Sequence, residues 1–112
     1  MSFITWKEFE KTDLGADKII KAGKIHEAIN PVNRLWVNCG YKLGIKKSGT
    51  QVTALYRPEE LIGKQDICMA NFTLKQIGPS VSEILVTGFP DAYRNVVIVA
   101  TGKAGSTNAK LF

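Results

Sequence analysis

Few side chains in this 112-residue chain are of the type and spacing that catalysis uses. His26 is its one histidine, with no base, nucleophile or metal partner near it in sequence, so a loop surface is its expected place. Cys39 and Cys68 lie far apart without a His/Cys cluster. A metal site needs several convergent ligands, so the two cysteines read as small buried apolar residues. Glu59 and Glu60 are adjacent and diverge on a helical turn instead of pairing. No glycine-rich phosphate loop or nucleophile elbow occurs. The chemistry that remains is binding; no enzyme, metal or cofactor is expected.

Two residue classes could bind. The first is basic. The chain carries a net charge of +5, unevenly spread. Residues 1–17 hold Lys7 and Lys11 against Glu8, Glu10, Asp13 and Asp17. Residues 18–47 hold Lys18, Lys21, Lys24, Arg34, Lys42, Lys46 and Lys47 against Glu27 alone. Such a patch draws polyanions through phosphate contact and counterion release, and it serves equally as a solubility surface. The second class is aromatic. Trp36, Tyr56, Phe72, Phe89 and Tyr93 fall at expected strand ends and loops, where a barrel presents its ligand face. Exposed together, they would form an apolar surface suited to polypeptide; the alternative is packing inside.

These residues need a scaffold, and its elements are legible. Residues 4–13 read as a short helix: Thr5 as N-cap with Glu8 makes a capping box, and Ile4 can staple onto Phe9. So short a helix is marginal alone, so Trp6 and Phe9 should dock on something, such as a second copy. Leu14 to His26 reads as a long first strand, bent at its glycines Gly15 and Gly23. Glu27 to Asn33 is a loop. Residues 34–39 alternate, with Leu35, Val37 and Cys39 on one face and Arg34, Trp36 and Asn38 on the other. Trp36 thus falls on the polar face, as a stacking platform, a subunit contact, or a packed ring under an arginine. Tyr41 to Lys47 is expected as the third strand, ending in a basic Lys46-Lys47-Ser48-Gly49 loop. Pro58 to Gly63 should form a helical turn, with proline at the first helical position and two acids in the first turn. Asp66 to Phe72, Ser82 to Phe89 and Asn95 to Thr101 are further strands, with a loop over residues 73–81. The polar stretch 102–108 is a cover or a loose end.

Composition sets the outer bounds. One domain is expected, and an apolar fraction of 45% can build a core. The longest apolar runs, such as Val96 to Ala100, are strand-length, so no membrane insertion is expected. Met1 to Thr5 lacks the features of a secretory leader, and two cysteines without one favour a reducing, cytoplasmic setting.

The order of segments from Gly44 to Val86 carries a resemblance. It runs Gly44-Ile45-Lys46-Lys47-Ser48, Tyr56-Arg57-Pro58-Glu59-Glu60-Leu61-Ile62-Gly63-Lys64-Gln65, Met69-Ala70-Asn71-Phe72, then Ser82-Glu83-Ile84-Leu85-Val86. This wording resembles the tRNA-binding-domain superfamily of OB-fold barrels, and within it the CsaA group, homodimeric proteins proposed as export-related chaperones. The resemblance spans residues 9–99. It implies an all-β, five-stranded Greek-key OB-fold barrel with a short N-terminal helix and a helical turn between strands. It also implies a non-catalytic homodimer that binds unfolded or export-bound polypeptides, through Trp36, Tyr56, Phe72 and Phe89. The alternative it implies is binding of structured RNA such as tRNA, through Lys18, Lys21, Arg34, Lys46, Lys47 and Lys75 with Asn71, Ser82 and Glu83. In the loop before Ser82, Lys75 keeps one family charge, while Gln76 stands where a second is common. Asn71, Ser82 and Glu83 match the pattern, and Ser82 and Glu83 read first as locks on the loop backbone. Where relatives carry an arginine after the helix, this chain has Asp13-Leu14-Gly15-Ala16-Asp17. Fewer phosphate contacts weaken the tRNA reading and leave the polypeptide reading first.

Overall fold

The structure is a computed structural model that describes residues 1–25, 32–50, 55–77 and 80–112. His26 and most of the expected Glu27–Asn33 loop lie outside the described residues. In chain order the elements are α1 (Trp6–Glu10), β1 (Leu14–Ile25), β2 (Val32–Asn38), β3 (Ile45–Thr50), α2 (Pro58–Leu61), β4 (Gln65–Met69), β5 (Lys75–Ile77), β6 (Ser80–Ser82), β7 (Leu85–Val86), β8 (Gly88–Pro90) and β9 (Val96–Ile98). Five strands form one antiparallel sheet in the order β3-β2-β1-β4-β7, and two hairpins, β5-β6 and β8-β9, attach to it.

β1 is the hinge of this sheet. Its residues Leu14–Lys18 pair with β4, and Lys18–Ile25 pair with β2. One strand thereby serves both sides of the barrel. The bend is a bulge between Ile19 and Lys21, not a glycine kink at Gly15 or Gly23. An extra residue in one strand increases local twist, which is what curling the sheet requires. The sheet closes at a seam between β3 and the chain entering β7. There the Lys47 amide donates to the Glu83 carboxylate at 3.0 Å and the Glu83 amide donates to the Lys47 carbonyl at 2.7 Å. Ser82 Oγ lies 3.2 Å from Ser48 Oγ beside them, both buried. The result is a nearly closed five-stranded barrel of the OB type.

Inside sit Ile19, Leu35, Val37, Cys39, Leu61, Cys68, Ile84, Val86 and Ile98. The alternation expected over residues 34–39 holds, since Leu35, Val37 and Cys39 all face this core. α2 plugs one end of the barrel with the fully buried Leu61. The turn after α2 is tied to β1, with the Gly63 amide donating to the Ile19 carbonyl at 2.7 Å.

Several boundaries differ from the sequence reading. The third strand begins at Ile45, because Gly40 and Gly44 both adopt left-handed φ and the Gly44 amide closes onto the Gly40 carbonyl. That turn uses up Tyr41–Leu43, and the expected basic loop is instead strand β3. The expected 73–81 loop contains the β5-β6 hairpin, whose polar residues mask it from hydrophobic patterning. The expected strand from Ser82 to Phe89 is divided among β6, β7 and β8. α1 has the expected capping box, with the Glu8 amide donating to Thr5 Oγ1 at 3.2 Å and the Thr5 amide to Glu8 Oε1 at 3.0 Å. It is shorter than 4–13, and Phe9 meets the Trp6 ring at 5.3 Å between centroids. No residue of α1 is buried within the chain.

The C-terminal stretch is a cover. Its Asn108 amide donates to the Ala16 carbonyl, the Ala16 amide to the Ala109 carbonyl, and the Leu111 amide to the Leu14 carbonyl. These bonds occupy the edge of β1 that β2 leaves free.

Candidate binding faces

The basic face is assembled by strand register. Cross-strand pairing sets Lys21, Trp36 and Lys47 in one row over β1, β2 and β3. Lys18 and Asn38 form the row on one side, and Arg34, between Gly23 and Gly49, the row on the other. In a regular strand residues 18 and 21 point to opposite faces. The bulge at Ile20 returns Lys21 to the face of Lys18. Trp36 is half-buried, with Lys21 Nζ 4.6 Å and Arg34 Cζ 5.9 Å from its ring centroid. Two cations over one indole give a platform that is at once aromatic and positive. Arg34 Nε is enclosed and has no hydrogen-bond partner among the described residues. Lys46 departs from this group: it pairs with the inward-facing Val37, and its charge acts on Cys39.

The second set of sequence candidates holds the backbone together. Asn71 accepts a bond from the Asp13 amide at 2.9 Å through Oδ1 and donates through Nδ2 to the Lys11 carbonyl. It thereby pins the exit of α1 to the end of β4. Ser82 Oγ donates to the Ile84 carbonyl at 3.0 Å, and Glu83 bonds the Lys47 amide. Lys75 pairs with Ser82 in the β5-β6 ladder, and its side chain lies outside the described residues.

The aromatics divide. Phe72 and Phe89 are 54% and 68% exposed, and Phe89 stands opposite the exposed Val97 in the β8-β9 hairpin. Tyr93, at the turn of that hairpin, is exposed as well. Tyr56 packs against the core, its hydroxyl accepting the Ile98 amide at 3.1 Å while Lys64 Nζ lies 5.7 Å from its ring centroid. Sequence reading passed over Phe3, Leu111 and Phe112 near the chain ends, all exposed. Their position outside any amphipathic period left no pattern to detect.

Buried ionisable groups gather elsewhere. Asp17 and Asp66 are cross-strand partners in β1 and β4, and both are buried. Burial pushes the Asp66 carboxyl up to about 7, against a weaker opposite pull from Lys64. Asp17 is also raised by burial, partly offset by its bond from Asn108. Cys39 is raised to about 12 and Cys68 further, mainly by burial, so neither thiol is primed for nucleophilic chemistry. Among the described residues no three His, Cys, Asp or Glu side chains gather closely enough to hold a metal ion. No helix among them is long and apolar enough to cross a membrane.

Known structures share this arrangement. The chain is similar to the chaperone CsaA from Bacillus anthracis str. Ames, with 32% identity over 99% of this chain and 100% of that one, at a TM-score of 0.87. It is similar to the CsaA chaperone protein from Picrophilus torridus, with 33% identity over 98% of this chain and 100% of that one, also at 0.87. A MetRS-related protein from Pyrococcus horikoshii has the same fold at a TM-score of 0.84, with 21% identity over the full length of both chains. No protein-family model matches the chain.

Proposed function

The chain belongs to the CsaA family of OB-fold proteins, and from that we propose that it is a non-catalytic chaperone-type protein that binds unfolded or export-bound polypeptides as a homodimer. The observation that carries this reading is the solvent exposure of Phe72 and Phe89 on a barrel whose core is otherwise closed. Exposed aromatic rings offer large apolar area to a client at little entropic cost, because they have few rotatable bonds. α1 supports the dimer: a five-residue helix with nothing buried in its own chain gains stability by docking Trp6 on a second copy. Two free, buried thiols suit a reducing compartment such as the cytoplasm. The test is aggregation of a chemically denatured client, followed by light scattering with the protein present. Suppression at equimolar dimer is expected, and an unchanged aggregation curve would sink the reading.

A second reading rests on a different observation, the Lys21–Trp36–Lys47 row with Arg34 beside it. A positive, aromatic strip across three strands suits structured RNA such as tRNA, through phosphate contact and base stacking. Its mark is a steep fall of affinity with salt.

A further inference from the structure

Asp66 is in an unusual position for a carboxylate. It has no exposed surface, and neither of its oxygens has a hydrogen-bond partner among the described residues. A buried carboxylate is ordinarily paired or hydrogen-bonded, because ionising it in an apolar setting is costly. Its cross-strand neighbour Asp17 is a second buried acid, and that one is satisfied: Asn108 Nδ2 donates to Asp17 Oδ1 at 2.8 Å and also to the Asn38 carbonyl at 2.9 Å.

The two strands carrying these acids are clasped by one segment, residues 99–111. On β4 the Ile67 amide donates to the Val99 carbonyl, the Thr101 amide to the Gln65 carbonyl, and Ala100 bridges Asp66. On β1 the Asn108, Ala16 and Leu111 amide bonds hold it, with Lys110 bridging Gly15. None of residues 101–112 is buried. The clasp is held by polar bonds with little apolar anchoring, so it can open without opening the core.

We infer that Asp66 is the proton sensor of this clasp, and that loss of its proton releases residues 99–111 from the edges of β1 and β4. A neutral Asp66 is tolerated in the closed barrel. An ionised one finds no donor among the described residues, and admitting water by lifting the clasp supplies the missing hydrogen bonds. Few ionisable groups lie on the elements around it. From β1 comes Asp17, from the end of β2 Cys39, and from β4 itself Cys68. Lys64, just before β4, is the cation that acts on Asp66, while Lys46 from β3 acts on Cys39 and Asp13 acts on Asp17. β7 and residues 99–101 bring no ionisable side chain, and the acids of α2, Glu59 and Glu60, are exposed. Burial outweighs the pull of Lys64 and favours the protonated, clasped form.

The experiment is amide hydrogen exchange on the full chain, corrected for intrinsic exchange, from pH 4 to 8. The readout is the set of Ala16, Thr101, Asn108 and Leu111 amides. Opening should rise about tenfold per pH unit between the ordinary carboxylate range near ~4 and the raised value of about 7, then level off. In Asp66→Asn most of that dependence should disappear, leaving only a shallower slope from Asp17. The same slope in the variant, no slope in the unaltered protein, or an equal slope at β2 and β3 amides would each overturn the clasp. Should the variant not fold, the carboxyl carbon of Asp66 can be titrated by NMR in the unaltered protein. A midpoint near 7 supports the inference, and one near 4 overturns it.

Discussion

Glu83 and Lys47 are bonded to each other twice, amide to carboxylate at 3.0 Å and amide to carbonyl at 2.7 Å, and this reciprocal pair is the seam that closes the barrel. Both bonds involve the Lys47 backbone, so the lysine side chain stays on the outer face, in the row of Trp36. One residue thus closes the fold and supplies charge to the basic face. Glu83→Ala leaves the Lys47 amide without its acceptor. Stability should fall by about 1–3 kcal/mol. Glu83→Gln, which keeps an acceptor oxygen, should recover much of it. Chemical denaturation of the two variants checks this, and equal stability of Glu83→Ala and the parent would remove the seam from the account.

Lys46 and Lys47 are adjacent but not equivalent. Lys47 lies in the Trp36 row, whereas Lys46 pairs with an inward-facing valine. If a polyanion binds the basic face, Lys47→Glu should weaken it and lower the magnitude of the salt slope by about 1. Lys46→Glu should leave that slope nearly unchanged. Titration of tRNA at several salt concentrations distinguishes them, and equal effects would show that the register does not organise the charge.

The exposed aromatics should separate binding from stability. Phe72→Ser and Phe89→Ser should each weaken capture of a denatured polypeptide by about 1–2 kcal/mol, the range of a contact residue in an interface. Both lie on the surface, so their melting temperatures should stay close to the parent's. Tyr56→Phe should do the reverse. It removes the hydroxyl that accepts the Ile98 amide, costing ~1 kcal/mol of stability while leaving capture intact.

Asp66 makes the protein less stable as pH rises. Below about pH 4 the carboxyl is protonated in both folded and unfolded chains and has no effect. Between about 4 and 7 the unfolded chain has given up the proton and the folded one keeps it, so stability declines; above about 7 the loss is complete. The whole effect is on the order of 4 kcal/mol, and Asp17, raised by the same cause, adds in the same direction. Asp66→Asn cannot ionise. Its stability relative to the parent should therefore improve by ~4 kcal/mol between pH 4 and pH 8, whatever constant cost the amide brings. A constant difference across that range would show that Asp66 titrates normally.

Much of the barrel was legible because its inner face obeys a period of two. Leu35, Val37 and Cys39 pointed to the core by alternation alone, and Thr5 with Glu8 marked the start of α1. What sequence could not supply was register. Lys18 and Lys21 share a face only because of the bulge at Ile20, and a bulge has no composition. Asp17 and Asp66 meet only when β1 pairs with β4, so two acids far apart in the chain gave no hint of a shared site. Tyr56 illustrates a further limit. An aromatic at the entry to a helical turn reads the same whether its hydroxyl is free or, as here, spent on the Ile98 amide.

Whether this barrel binds unfolded polypeptide through apolar contacts is decided by setting two ligands against each other. Binding of a fluorescent denatured polypeptide and of total tRNA would be titrated on one preparation across a salt series. Polypeptide capture that persists with salt while tRNA binding stays weak is the predicted result. Tight tRNA binding that falls steeply with salt, without polypeptide capture, would contradict it and assign the function to the Lys21–Trp36–Lys47 face.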